Sequence, residues 1–118
     1  MKKFVFVLGV VMVIVSCDKA EMVKVNYRVS KGYSETGIFY RNSEGQVVSE
    51  TALLESPEDV WTFTSEMERG EIVYLSAIYS DSASSVDVQI KLDGKIYKAN
   101  SSVNEPEQYV TVSGTIPF

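Results

Sequence analysis

The chain has no histidine, a single cysteine and three prolines. Without histidine it lacks the commonest general base and the commonest metal ligand. With one thiol, at Cys17, no disulfide can close within the chain, although an oxidising compartment would permit one. The many serines do not compensate. A serine nucleophile needs an adjacent base, and the densest cluster, Ser80 to Ser85, has the small polar composition of a loop. No glycine-rich phosphate cradle occurs. No amphipathic pattern is long enough for a substantial helix. Cations are scarce, 11 against 16 acidic side chains, which argues against binding nucleic acid through bulk charge. Together these absences predict a protein that is not an enzyme and uses no cofactor or metal.

What is present begins with a leader. Met1-Lys2-Lys3 is a short basic head, Phe4 to Val15 is apolar apart from Gly9, and Ser16 and Cys17 follow. A basic head, a short apolar core and a small residue before a cut describe a secretory signal peptide. The apolar run falls short of the roughly 20 helical residues that cross a bilayer. Ile14-Val15-Ser16-Cys17 resembles a bacterial lipobox: two aliphatic residues, a small one, then the cysteine. The resemblance implies that residues 1–16 are a removed signal peptide. It implies too that Cys17 is the lipidation site, carrying a diacylglycerol and usually a further acyl chain such as palmitate. Two acyl chains suffice for stable anchoring, at about 0.8 kcal/mol per buried CH₂. Residues 17–21 then form a short lipidated tether and residues 22–118 the folded domain. Asp18 directly after the cysteine resembles the inner-membrane retention signal of enteric bacteria. The expected location is the cell membrane or outer membrane, lipid-anchored and extracytoplasmic. Losing Lys2 and Lys3 leaves 9 cations against 16 acids, a net charge of −7.

The rest of the chain alternates. In Met22 to Ser30, Val23, Val25, Tyr27 and Val29 fall on one side and Lys24, Asn26, Arg28 and Ser30 on the other, the period of a half-buried strand. Gly37 to Arg41 and Gln46 to Leu54 read as a hairpin around Asn42-Ser43-Glu44-Gly45. Val60 to Ser65 alternates again, with a polar connection expected at Glu66 to Gly70. Glu71 to Tyr79 is the longest apolar run of the domain and fits a strand covered on both faces. Val86 to Leu92 and Lys95 to Ala99 flank Asp93-Gly94, a strong hairpin signal because both central residues accept positive φ. Tyr109 to Ile116 is the last strand, before Pro117. Strands this short and evenly spaced predict an all-β fold, an immunoglobulin-like antiparallel β-sandwich of about seven strands, with an eighth as the upper count.

The order of motifs resembles the extracytoplasmic domain of the mycobacterial MmpS transport accessory proteins. Ile38-Phe39-Tyr40 with Asn42 and Gly45 is similar to their first hairpin, and Trp61 with Phe63 to the tryptophan strand after it. Gly70 with Val73 to Ala77 is similar to a later strand, and Gln89 to Lys95 to an Asp-Gly-Lys hairpin. The likeness runs from about Val23 to Gly114. It implies an immunoglobulin-like sandwich outside the cytoplasmic membrane and, more loosely, assistance to a membrane exporter or envelope complex. The chain departs from that pattern in two ways. Members carry a transmembrane helix where this chain has the lipobox. Many carry a cysteine pair near the last strands, where this chain offers Val88 and no second thiol.

Candidate sites are few. Glu66 and Glu68 would share a strand face but read as a solvated edge. Asp81, Asp87 and Asp93 would need to gather to hold a hard cation, and Asp93 already belongs to a turn. Aromatic residues offer more. Trp61 is expected as a core anchor. If Val73, Leu75, Ala77 and Tyr79 face inward, Tyr74 stands on an outer face. Tyr40 and Tyr97 can face either way. Tyr40, Tyr74 and Tyr97 are therefore the candidate binding residues, since exposed aromatics clustered on one sheet mark a binding surface. The functional expectation is a lipid-anchored interaction or accessory module of the cell envelope, assisting a transport or envelope complex through an unidentified protein partner. The alternative is a small-ligand or glycan-binding module using an exposed aromatic sheet face.

Overall fold

The computed structural model describes residues 21–118. The signal peptide 1–16, the lipidation site Cys17 and tether residues 18–20 lie outside the described residues. Eight strands follow in order: β1 (Met22–Ser30), β2 (Glu35–Arg41), β3 (Val47–Leu53), β4 (Val60–Glu68), β5 (Ile72–Tyr79), β6 (Ser85–Leu92), β7 (Lys95–Val103) and β8 (Val110–Thr115). They form two antiparallel four-stranded sheets, β4-β1-β6-β7 and β3-β2-β5-β8, packed face to face. The fold is the expected antiparallel β-sandwich, with eight strands among the described residues, the upper of the expected counts.

Alternation decides which side chains meet between the sheets. Val23, Val25, Tyr27 and Val29 of β1 face Ile38 and Tyr40 of β2 and Val73, Leu75, Ala77 and Tyr79 of β5, all buried. Val86, Val88 and Ile90 of β6 and Val110 and Val112 of β8 complete the layer. Each fully buried side chain of this kind contributes about 1.5–3 kcal/mol by leaving water. Ser65 interrupts this layer: its hydroxyl is buried without a hydrogen-bond partner among the described residues. Ser65→Ala is expected to stabilise the domain by about 1 kcal/mol. In a thermal melt this would read as a rise of roughly 4–8 °C.

Three boundaries differ from those expected by two residues or more. β2 begins at Glu35, because Thr36 pairs with Tyr79 and Ala52 before the glycine at 37. β4 continues through Glu68, because Glu66 and Glu68 pair with Lys24 and Met22 on β1. Both glutamates lie on the solvated side. β7 runs to Val103, pairing along the whole of β6.

The turns behave as their residues require. Asp93 and Gly94 have φ of 51° and 85°, as a type I′ turn demands. The Asn42 carboxamide oxygen accepts the N–H groups of Glu44 and Gln46, at 2.9 and 3.0 Å. A register shift in β7 opposite Ile90 and Lys91 turns Tyr97 toward β8. There its hydroxyl donates to the Thr115 carbonyl at 2.7 Å. The ring passes so close over Gly114 that a Cβ there would lie 2.7 Å from the Tyr97 oxygen.

Candidate functional site

The two outer faces of the sandwich differ in kind. On the first sheet the outward positions of β1, β4 and β6 include Lys24, Arg28, Glu66, Glu68, Asp87 and Lys91. On the second sheet they are nearly uncharged. Register places Phe39 between Ser49 and Ser76, and Ser76 beside Thr111. Gly37 lies between Thr51 and Ile78, and Tyr74 lies beside Ser113. Phe39 and Tyr109 meet edge to face, with centroids 5.9 Å apart at 62°. Val47, Leu53, Ile72 and Tyr109 are all more than half exposed. The charged outward residues are Glu35 and Arg41, at opposite ends of β2. Arg41 is already engaged, donating to the Ile72 carbonyl at 2.7 Å and to Glu71 at 3.3 Å. Apolar side chains thus surround a band of small hydroxyl residues, of which Ser76 and Thr111 satisfy each other at 2.8 Å.

The three tyrosines singled out from sequence do not come together. Tyr74 stands half-buried on this outer face, as alternation predicts. Tyr40 is a correction: it is 4% exposed and points into the core, because β2 turns Ile38 and Tyr40 inward together and leaves Phe39 outside. Tyr97 is also a correction: it packs against the core from the β7 edge and spends its hydroxyl on Thr115. Phe39, Ile78 and Tyr109 were missed. Phe39 must oppose whichever face takes Ile38, but the apolar run Ile38-Phe39-Tyr40 does not mark which of the two that is.

Tyr40 belongs to a second locus, where the open edges of the sheets meet. Its hydroxyl donates to Glu50 of β3 at 2.6 Å, and the Trp61 indole N–H of β4 donates to the other carboxylate oxygen at 3.0 Å. Burial, reinforced by the hydrogen bond to Glu50 and its charge, pushes the Tyr40 hydroxyl up to about 12. The bonds from Tyr40 and Trp61 hold the Glu50 carboxyl below its usual value, against a smaller opposing effect of burial. Trp61 is half-buried and tilted against Tyr40, 5.2 Å between centroids, so it anchors the rim of the core rather than its centre. This arrangement ties the sheets together and has no nucleophile or base beyond the single carboxylate.

The three aspartates considered for a cation serve elsewhere. Asp81 accepts the Ala83 N–H, Asp87 pairs with Lys31 at 3.7 Å, and Asp93 accepts the Lys24 N–H. Among the described residues no group of three acidic side chains gathers as a metal site would require. Compared with known proteins, the chain matches no family model and no curated relative.

Proposed function

We propose that this protein is a lipid-anchored interaction module of the bacterial cell envelope, held outside the cytoplasmic membrane by Cys17. It presents the outer face of the second sheet to a protein partner and performs no catalysis. The observation that carries this reading is that face, with exposed Val47, Leu53, Ile72 and Tyr109 around Phe39, Tyr74 and Ile78. Exposed apolar side chains grouped on one nearly uncharged sheet face mark an interaction surface. The lipobox at Ile14 to Cys17 supports the anchor. The motif order resembling MmpS proteins supports an exporter or other envelope complex as the partner class, at the cell membrane or the outer membrane.

A photoreactive residue at Val47 or Tyr109, introduced in cells and activated in native membranes, is expected to give a discrete heavier adduct. The same residue at Gln89, on the opposite sheet, is expected to give none. Equal labelling from both faces, or silence from both, overturns the reading.

The second reading, a glycan or small ligand on the same face, draws on the Phe39–Tyr109 edge pair. Sugar rings stack on such rings, but they also call for carboxylate or amide groups aimed at their hydroxyls. This face offers single hydroxyls instead, which favours the protein partner. A glycan array showing specific binding that is lost in Tyr109→Ala would reverse that preference.

A further inference from the structure

The sandwich has two poles. One gathers the start of β1, the β2–β3, β4–β5 and β6–β7 turns and residues 117–118. The other gathers the loops 31–34, 54–59, 80–84 and 104–109. Their charge differs sharply. The second set of loops holds Glu55, Glu58, Asp59, Asp81, Glu105 and Glu107 against one cation, Lys31. At the first pole acids and cations nearly balance, Glu21, Glu44, Glu66, Glu68, Glu71 and Asp93 against Lys24, Arg41, Arg69, Lys91 and Lys95, and three of the acids are already occupied. Glu21 pairs with Arg69 at 2.7 Å, Glu71 with Arg41 at 3.3 Å, and Asp93 accepts the Lys24 N–H at 2.9 Å. Lys24, Lys91 and Lys95 form no ion pair among the described residues, although Glu66 lies opposite Lys24 in the β1–β4 register.

Lys24 and Lys91, with Asn26, Thr64 and Gly94, line a groove of about 210 Å³. Asn26 donates to the Thr64 oxygen at 2.8 Å, which leaves the Thr64 hydroxyl proton free to point elsewhere. Two ammonium groups and a hydroxyl donor suit the oxygens of a phosphate diester. Flanking this groove at the same pole, Met22 and Ile96 are 47% and 59% exposed. Cationic side chains beside exposed apolar ones are the composition of an interfacial membrane surface.

We infer that this pole is a bilayer-docking surface, with Lys24, Lys91 and Lys95 on anionic phospholipid headgroups and Met22 and Ile96 at the interface. The inference rests on the lipid-anchor reading and adds an orientation to it. Between Cys17 and Met22 the chain can span about 17 Å when fully extended. The nine-residue strands are about 30 Å long. An anchor at Cys17 therefore holds this pole, not the acidic one, at headgroup level. The acidic loops then sit several Debye lengths of about 8 Å from a negative surface and escape most of its repulsion. The outer face of the second sheet stands alongside the membrane normal, open to a neighbouring membrane protein.

Hydrogen exchange on the full chain in vesicles of phosphatidylethanolamine and phosphatidylglycerol tests this. Against the unanchored Cys17→Ser protein in solution, amides of residues 42–47, 69–72 and 93–96 are expected to exchange several-fold more slowly. Those of residues 55–59 and 104–108 are expected to be unchanged. Replacing Lys24, Lys91 and Lys95 together by Gln is expected to abolish the slowing while the protein still floats with the vesicles. Equal protection of both poles, or none at the first pole of a floating protein, overturns the orientation. The intact mass separates the two readings. A wild-type product that begins at Met1 with a free thiol sinks the lipid-anchor reading. In that case, coupling Cys17 to a maleimide phospholipid in the same vesicles tests the pole alone. Slowing by inorganic phosphate without lipid, as strong as that by vesicles, would also overturn membrane docking.

Discussion

Replacing Tyr27 by Phe is expected to destabilise the domain by about 1–3 kcal/mol, although only one oxygen atom is lost. Tyr27 is fully buried at the centre of β1, stacked with Phe63 at 6.0 Å and tilted against Tyr40 at 5.8 Å. Its hydroxyl crosses to the other sheet. There the β2–β5 ladder stops at Tyr40 and Leu75, one pair short of Arg41 and Tyr74. The Tyr27 oxygen fills that gap, donating to the Arg41 carbonyl at 2.6 Å and accepting the Tyr74 N–H at 3.5 Å. Phenylalanine would leave the carbonyl, and the weaker Tyr74 donor, unpaired at the edge of the core. Tyr27→Ala adds the loss of the ring and the cavity it leaves, for a total of about 3–5 kcal/mol or more. Against a total stability of roughly 5–15 kcal/mol for a domain of this size, that variant stands near the unfolding threshold. Urea titration would show the midpoint fall with the slope unchanged. Hydrogen exchange at the Tyr74 amide would accelerate in Tyr27→Phe. A Phe variant as stable as the parent would show that water or a shifted strand satisfies the Arg41 carbonyl.

The same residue illustrates what was legible in the sequence. Alternation from Val23 to Val29 was enough to turn Tyr27 inward, because a buried face imposes period 2 on the strand that covers it. The Asp93-Gly94 hairpin was equally legible, since positive φ at both positions restricts the choice of residues. Where strands continue past their apolar residues, pairing rather than composition decides. Glu66 and Glu68 belong to β4 only because β1 lies beside them, and Asn100 to Val103 belong to β7 only because β6 does. Neither partner is visible locally. Tyr40 and Tyr97 show a second limit. In Ile38-Phe39-Tyr40 every residue is apolar enough for either face, so the parity of β2 could not be read from the segment itself. Tyr97 is redirected by a register shift that leaves no mark in composition. The uncharged face of the second sheet combines β3, β2, β5 and β8. It could emerge only once strands distant in sequence were neighbours.

Stability is expected to be flat from about pH 5 to pH 10 and to fall on both sides, with the Tyr40–Glu50–Trp61 tie contributing to each limb. On the alkaline side the Tyr40 hydroxyl titrates at about 12 in the folded protein, against an ordinary value near 10. Between those values the unfolded chain has released a proton that the folded chain keeps. The folded state therefore binds more protons, and stability declines as pH rises through that window. Burial raises Tyr27 in the same direction, so the limb is steeper than Tyr40 alone would give. On the acid side Glu50 titrates below its ordinary value when folded. Its contribution is present above the unfolded pKa and is lost as pH falls through the folded one. Tyr40→Phe should shallow the alkaline limb and let the Glu50 carboxyl rise toward its ordinary value. Glu50→Gln should remove its share of the acid limb and lower the Tyr40 pKa. Because the carboxylate is largely exposed, screening holds the coupling between these two changes to about 1 kcal/mol in a double-mutant cycle. Trp61 is the only tryptophan in the chain, so its fluorescence reports on this locus directly. An emission change on acidification that persists in Glu50→Gln would place the acid response at another carboxylate. An alkaline limb unchanged in Tyr40→Phe would leave Tyr27 as its source.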